Sequence, residues 1–415
     1  MNRLVLDAAT LFAARMIRLF AYGALSVGLV LYLAELGLSE ALIGVVLTAT
    51  LIGDAAISLA MTTTADRLGR RRMLLLGALL MALAGLAFLL TQQPVLLILA
   101  AIIGVISPSG NEIGPFLSIE QAALAQLLPN QQRTRVFAWY NLAGSFATAL
   151  GALSGGWLAH ALQAGGMPAL DAYRAVLVGY ALSGGLLALL FISLSPGVEV
   201  IQVIEASATR PRFGLRRPES KQAVMALSAL FALDAFAGGF VVQSLLAYWF
   251  YLRFGADAGL LGGIFFGANV LAGISALLAA RLAARFGLIN TMVFTHIPSN
   301  LLLCLVPLMP TLPLAIALML LRFSISQMDV PTRQSYTLAV VAPDERSAAA
   351  GLTNIARSLG AALSPLLSAL LLANPLLINA PLFLAGGLKI AYDLLLYRRF
   401  RALKPPEEQP DAGHA

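Results

Sequence analysis

The stretch Asp66-Arg67-Leu68-Gly69-Arg70-Arg71-Arg72 places dense charge between two apolar runs, residues 43–61 and 73–90. An apolar run of about 20 residues is long enough to cross a bilayer as a helix. A glycine inside the charged stretch allows the chain to turn sharply. The stretch therefore predicts a short charged turn that joins two membrane-spanning helices.

The same arrangement recurs 218 positions later, at Ala284-Arg285-Phe286-Gly287. At that offset Leu36-Gly37 aligns with Phe254-Gly255, and Gly44 aligns with Gly262. Ordered agreement at separate places indicates that the chain is a duplication. A parallel repeat of apolar segments is one of the architectures of secondary transporters.

The composition requires a bilayer as solvent. Hydrophobic residues make up 59% of the chain and charged residues only 11%, with a mean hydropathy of +0.85. A water-soluble fold has no means of hiding so much apolar surface. We therefore expect an all-α integral membrane protein with twelve spans, near residues 8–36, 40–61, 73–91, 94–126, 134–161, 172–194, 222–251, 258–280, 289–308, 313–341, 347–372 and 381–400.

The net charge of +7 reflects topology rather than a nucleic-acid partner. With the amino terminus inside, 19 of the 27 Lys and Arg residues fall in cytoplasmic segments and only Arg174 and Arg253 fall outside. This asymmetry predicts that both termini are cytoplasmic. We expect the membrane to be a plasma membrane, and specifically the bacterial inner membrane. The first apolar run lacks a small-residue cleavage site and is expected to remain as the first span. The single cysteine, Cys304, excludes an intramolecular disulfide.

The longest polar stretch divides six spans from six. We predict an N-terminal six-helix bundle over residues 1–194, a cytoplasmic linker over 195–221, a C-terminal six-helix bundle over 222–400 and a cytoplasmic tail over 401–415. Because of the repeat, the two bundles are expected to be pseudo-symmetric.

Two spans contain helix breakers. Span 4 carries Ser107-Pro108-Ser109-Gly110-Asn111-Glu112-Ile113-Gly114-Pro115, and span 10 carries Asp329-Val330-Pro331-Thr332-Arg333. Irregular backbone at membrane depth packs on protein or lines a wet cavity, so each break is either a binding site or a packing kink.

The charged turn resembles the signature loop between helices 2 and 3 of the major facilitator superfamily. Ala65-Asp66-Arg67-Leu68-Gly69-Arg70-Arg71 matches its Ala-Asp-Arg-x-Gly-Arg-Arg, while Thr62 and Thr64 replace its leading Gly and Leu. The resemblance implies twelve helices in two bundles and a gating latch made by Asp66, Arg67, Gly69, Arg70 and Arg71. The alternative is that these residues only set topology.

Span 5 is rich in glycine, with Gly144, Gly151, Gly155 and Gly156. It resembles the glycine-rich motif of drug/proton antiporters, with Ser154 in place of that motif's proline. Close packing of helices through small residues is the alternative interpretation.

Charged groups inside predicted spans mark a third set of candidates, because each costs about 2.5–3.5 kcal/mol on insertion scales. The carboxyl groups that are candidates for proton coupling are Glu112, Asp234, Glu120 and Asp329. The candidates for lining the cavity or holding a substrate are Arg15, Arg18, Asp54, Asn141, Arg322, Arg333, Asn354 and Arg357.

Spacing predicts which of these charges meet. Lys389 and Asp393, and likewise Asp329 and Arg333, are four residues apart and are expected to pair on one helix face. The repeat sets Arg15 opposite Asp234 and predicts that they approach across a central cavity.

The motifs exclude several other classes of function. No Gly-Lys of a phosphate-binding loop occurs, and the three histidines, at 160, 296 and 414, are scattered. We expect no enzymatic activity, no metal and no cofactor. The expected function is transport of a small molecule by a monomer, with protons as the coupling ion, most simply efflux of amphipathic organic compounds by antiport. Uptake of a small polar metabolite by symport and a sensor that does not transport are the alternatives.

Overall fold

The computed structural model describes residues 3–111, 115–128, 130–199, 215, 217–342 and 345–403. Every regular element within these ranges is a helix. In the described part of the chain, ten helical segments are long and apolar enough to cross a membrane, and two shorter apolar helices, Pro94–Ile103 and Leu312–Phe323, lie in the spans predicted to break. The all-α membrane fold predicted from composition is therefore confirmed.

The chain forms two compact units. Unit 1 contains residues 1–203, 242–270 and 365–378. Its helices are α1 (Arg3–Glu35), α2 (Glu40–Leu68), α3 (Arg70–Leu90), α4 (Pro94–Ile103), α5 (Phe116–Leu127), α6 (Asn130–Ala164), α7 (Ala169–Ser193), α9 (Gln243–Phe254), the first part of α10 (Ala258–Phe286) and the last part of α14 (Arg346–Leu372). Within this unit α1 packs against α6, α7 and α9.

Unit 2 contains residues 204–241, 271–364 and 379–415. Besides the remaining parts of α10 and α14, its helices are α8 (Pro218–Gly239), α11 (Leu288–Leu305), α12 (Leu312–Phe323), α13 (Asp329–Ala339) and α15 (Ala380–Phe400). Helix α15 packs against α8 and α11, around a core that includes Phe231 and Tyr392. The division at the polar linker follows the sequence repeat rather than these contacts, and it stays a prediction.

Glycines at matched positions of the repeat share a positive φ. Gly37 and Gly255 have φ of 79° and 65°, and Gly69 and Gly287 have φ of 104° and 85°. Side chains disfavour positive φ, so glycine permits these turns at the ends of helices. The duplication inferred from the 218-residue offset is thus visible in the turn geometry.

The predicted breaks occur, with one shift in position. Helix α4 ends at Ile103 and α5 begins at Phe116. In span 10 the break lies at residues 324–328, before Asp329 rather than at it, because Pro331 falls in the first turn of α13, where a proline is tolerated. A third break, between α8 and α9 at residues 240–242, contains no proline and was not predicted.

The glycines of span 5 bring α6 close to α1. A Cβ added at Gly151 would lie 2.0 Å from the carbonyl oxygen of Phe20, and one added at Gly155 would lie 2.6 Å from that of Ala24. Packing through small residues is therefore the role that the structure gives them.

Candidate functional site

Unit 1 contains a fully buried ion pair between α1 and α5. The Arg18 guanidinium donates from Nη1 and Nη2 to the two carboxylate oxygens of Glu120, both at 2.7 Å. Neither side chain is exposed. The Tyr140 hydroxyl also donates to Glu120, and the Phe116 ring lies 4.4 Å from the Arg18 guanidinium carbon. Two candidates from the sequence are thus partners in one bidentate pair.

Arg15 lies one turn before Arg18 on α1 and contacts α6. Its Nη2 donates to Asn141 Oδ1 at 3.3 Å, and its guanidinium carbon lies 4.4 Å from the centre of the Tyr140 ring. Tyr140 therefore links both arginines. Of the four unit 1 candidates in this region, the structure brings all four together: Arg15, Arg18, Glu120 and Asn141.

Unit 2 contains a second polar centre, which we call the Asp234 cluster and define as Asp234, Asp329, Arg333, Arg357 and Lys389. Lys389 Nζ lies 2.6 Å from Asp234 Oδ1, while the Nη1 atoms of Arg333 and Arg357 lie 3.3 and 3.1 Å from Asp234 Oδ2. Arg333 Nη1 also lies 2.7 Å from Asp329 Oδ2. The pairing of Asp329 with Arg333 expected from their spacing is confirmed.

The Asp234 cluster joins three cations to two carboxylates. Four of its members are at most 9% exposed, whereas the Arg357 side chain is 30% exposed. Because charges away from water need compensating charge, one surplus positive charge in such a place attracts an anion. Arg357 is the member of the cluster that an incoming group can reach.

The expected pairing of Lys389 with Asp393 is wrong. Lys389 turns to Asp234 on α8, and Asp393 contacts α11 instead: its Oδ1 lies 2.9 Å from His296 Nδ1, and its Oδ2 accepts from Asn300 Nδ2 at 3.3 Å. Spacing along a helix shows which residues share a face, but neighbouring helices supply the closer partners here. The histidines are scattered in the sequence, so their spacing does not predict the contact of His296 with Asp393, which only the fold reveals.

The remaining candidates lie elsewhere. Asp54 on α2 accepts from Ser58 at 3.2 Å. Arg322 at the end of α12 packs on the ring of Phe323 and lies within electrostatic range of Asp329. Asn354 is exposed on α14. Glu112 lies outside the described residues. Arg15 and Asp234 each have partners in their own unit, and their approach to one another stays a prediction.

The charged turn forms hydrogen bonds with the segment that follows α7. The Glu199 carboxylate accepts from the backbone N–H groups of Arg70 at 2.7 Å and Arg71 at 3.2 Å, so it caps the start of α3. Asp66, the carboxylate of the turn itself, accepts from Arg70 Nε at 3.0 Å, and 65% of its side chain is exposed.

A second contact strengthens this attachment. Arg70 Nη1 donates to Gln126 Oε1 at 3.0 Å, and Gln126 Nε2 donates to the Gly197 carbonyl at 3.0 Å. Gly69 supplies the positive φ of the turn and Arg67 is exposed. Neither Glu199 nor Gln126 was a sequence candidate, since both lie far along the chain from the turn.

Among the residues that the structure describes, no group of three or more His, Cys, Asp or Glu side chains is arranged to hold a metal ion.

Comparisons with known proteins agree with this architecture. The family model described as Major Facilitator Superfamily matches residues 11–365. An uncharacterized membrane protein of Saccharomyces cerevisiae is 30% identical to this chain over 417 aligned positions. The alignment covers 94% of this chain and 93% of that protein. A D-xylose-proton symporter has a TM-score of 0.72 at 16% identity, covering 97% of this chain and 98% of its own. A nucleoside transporter has a TM-score of 0.72 at 15% identity, covering 97% and 100%.

The two solved structures share the fold at low identity, while the family match spans most of the chain. This protein therefore belongs to the Major Facilitator Superfamily and has the membrane-embedded fold of its transporters.

Proposed function

We propose that this protein is a secondary active transporter that moves a small organic anion across the membrane by alternating access, coupled to protons. The observation that carries the proposal is the Asp234 cluster, in which one carboxylate is shared by three cations. Family membership supports transport, and the chemistry of the cluster supports the class of substrate.

The cluster favours an anionic substrate because the substrate could replace Asp234 as the partner of Arg357. An arginine forms its strongest contacts with a carboxylate or phosphate in a bidentate arrangement. Arg357 contacts Asp234 through a single nitrogen at 3.1 Å and remains 30% exposed, so its other nitrogens are available to an incoming anion. A substrate carboxylate bound there would compete with Asp234 for Arg357 and would offset the surplus positive charge.

The direction of transport and the mode of proton coupling are finer parts of the proposal. A proton that binds close to the cluster adds positive charge and so favours the binding of an anion, and a proton and an anion that favour each other's binding move in the same direction, which is symport. The sequence-based preference for efflux of amphipathic compounds by antiport drew on the span 5 glycines, which pack against α1. Efflux stays a prediction, as does a sensor that binds without transporting.

The first experiment is a thermal-shift screen of the purified protein with three anions, each beside its uncharged counterpart: lactate and lactamide, succinate and succinamide, glucuronate and glucose. A ligand that binds only the folded state stabilises it by about 2.7 kcal/mol at 100 times its dissociation constant. We expect an anion, and not its counterpart, to raise the melting temperature. Equal shifts for both members of every pair would contradict an anionic substrate.

Proteoliposomes then test transport of the anion that raises the melting temperature in the screen. An inward proton gradient should accelerate its uptake if the mechanism is symport and expel it if the mechanism is antiport, while a sensor should bind it without translocation. The Arg357→Gln variant should lose binding. The matched control is Arg253→Gln, an exposed residue in the last turn of α9.

We also propose that both termini lie in the cytoplasm, as the distribution of Lys and Arg predicts. In a Cys304→Ser background, Arg72→Cys at the exposed start of α3 should react with an impermeant thiol reagent only from the cytoplasmic side. Reaction from the outside alone would reverse the topology.

A further inference from the structure

Besides the Asp234 cluster, unit 2 contains a buried pair formed by His296 and Asp393. The two residues lie on α11 and α15, 97 positions apart, with 2.9 Å between Nδ1 and Oδ1. His296 is 5% exposed and Asp393 is 1% exposed. We propose that this pair is the proton-binding site of the transporter, and that it is linked through Lys389 to the Asp234 cluster. The proposal rests on the proposed function, for which it names the coupling residues.

The hydrogen-bond partners of the pair allow it to bind and release a proton. Asp393 forms hydrogen bonds with His296 and Asn300, and neither of these residues is a permanent cation. Asp234 and Asp329, two other buried carboxylates of unit 2, contact arginine or lysine directly. An imidazole in contact with a carboxylate can take up and release a proton between its nitrogen and the carboxylate oxygen.

Titratable and charged groups lie near the pair on α15, α8 and α13. On α15 these are Tyr392, whose ring lies 6.1 Å from that of His296, and Lys389. From α8 comes Asp234, which lies within electrostatic range of both members of the pair. From α13 come Asp329 and Arg333, which act on Tyr392.

Lys389 connects the two centres. It precedes Asp393 by one helical turn on α15, and its Nζ lies 2.6 Å from Asp234. Each added charge on the pair therefore acts on the Asp234–Lys389 contact through a medium that screens weakly. A proton on the pair repels Lys389 and strengthens the attraction of the cluster for an anion.

A count of charges gives the consequence for transport. With neutral His296, the pair carries the single negative charge of Asp393 beside the Asp234 cluster, whose three cations exceed its two carboxylates by one. When one proton from the solution binds between Nδ1 and Oδ1, the pair becomes neutral as a unit and no longer offsets the positive charge of the cluster. A bound monoanion offsets it instead. Proton and anion thus favour each other's binding, and reciprocal coupling of this kind makes them travel together.

The first test needs no substrate. The full-length protein in nanodiscs, with ¹³C-labelled histidine, gives imidazole signals that report charge, and loss of a signal in His296→Gln assigns it. We expect the His296 signal to change with pH in the wild type and its pH profile to move in Asp393→Asn. His160→Gln is the matched control and should leave that profile unchanged. A His296 signal that stays in one charge state in both proteins would overturn the proposal.

The second test measures coupling in proteoliposomes with whichever of lactate, succinate or glucuronate the wild type transports. In His296→Gln and Asp393→Asn the proton gradient should no longer accelerate uptake, while exchange of labelled for unlabelled anion at equal pH persists. Asp393→Glu keeps a proton-binding carboxyl group and should restore part of the gradient dependence.

The outcomes of the two tests separate the proposals. Retained gradient dependence in both variants overturns the proton site, and so does loss of exchange in variants that are folded by thermal shift, since that indicates a structural role. If the wild type transports none of the anions, the proposed function fails, while the histidine titration still decides whether the pair binds a proton.

Discussion

Arg18 and Glu120 lie 102 positions apart in the sequence and form a bidentate pair in which neither side chain is exposed. Both nitrogen–oxygen distances are 2.7 Å, and the Tyr140 hydroxyl completes the set of donors to the carboxylate. This geometry is what makes two opposite charges tolerable inside a membrane domain, because each removes the need for water around the other.

Removing one partner of this pair should be more harmful than removing both. Arg18→Met leaves a buried carboxylate without its cation, and we expect a loss of about 3–5 kcal/mol in the free energy of unfolding. The double variant Arg18→Met with Glu120→Met should recover most of that loss. Unfolding of the purified protein in detergent measures both.

The exposed pair of Arg174 and Asp171 provides the control. Its members are 31% and 49% exposed, and its removal should cost about 0–1 kcal/mol. If Arg18→Met is no more harmful than Arg174→Met, the buried pair does not stabilise unit 1.

Gly151 should resist any side chain. A Cβ at this position lies 2.0 Å from the Phe20 carbonyl oxygen, so Gly151→Ala must separate α6 from α1, and we expect a loss of about 1–3 kcal/mol. Gly185 on α7 is the matched control, since an added Cβ there meets nothing within 4 Å. Gly185→Ala should leave the melting temperature unchanged or raise it slightly. Equal melting temperatures for both variants would contradict the close contact of α1 and α6.

The fold was largely predictable because it follows from local features of the sequence. Apolar runs predict spans, and glycines at matched offsets predict the turns at Gly69 and Gly287. The break between α8 and α9 escaped prediction, because no proline marks it.

The partners of the buried charges were less predictable. Four-residue spacing gave the pair of Asp329 and Arg333 correctly but assigned Asp393 to Lys389 rather than His296. Spacing shows only which residues share a helix face. The partner offered by another helix depends on packing, for which a single sequence carries no signal.

Glu199, rather than Asp66, should hold the start of α3. Its carboxylate accepts from the backbone N–H groups of Arg70 and Arg71, so Glu199→Ala should cost about 0.5–2 kcal/mol, as loss of a helix cap does. Asp66→Asn should cost less in stability, because most of the Asp66 side chain is exposed and it contacts only the Arg70 side chain in this turn. Parallel unfolding measurements compare the two, and a larger loss for Asp66→Asn would show that Asp66, and not Glu199, stabilises the start of α3.

The last prediction concerns the contact of Asp234 with Lys389, the shortest in its cluster at 2.6 Å. Asp234→Asn leaves three cations with Asp329 alone, so we expect severe loss of stability, on the order of 3–5 kcal/mol. Lys389→Met is expected to be milder, because Arg333 and Arg357 still contact Asp234. In the double variant the surplus charge falls again, and part of the stability should return. A double-mutant cycle from unfolding measurements gives the coupling free energy, which should be about 0.5–3 kcal/mol for residues in direct contact. A coupling free energy near zero would mean that Lys389 does not sense the charge of Asp234, and it would also remove the link between the cluster and the His296–Asp393 pair.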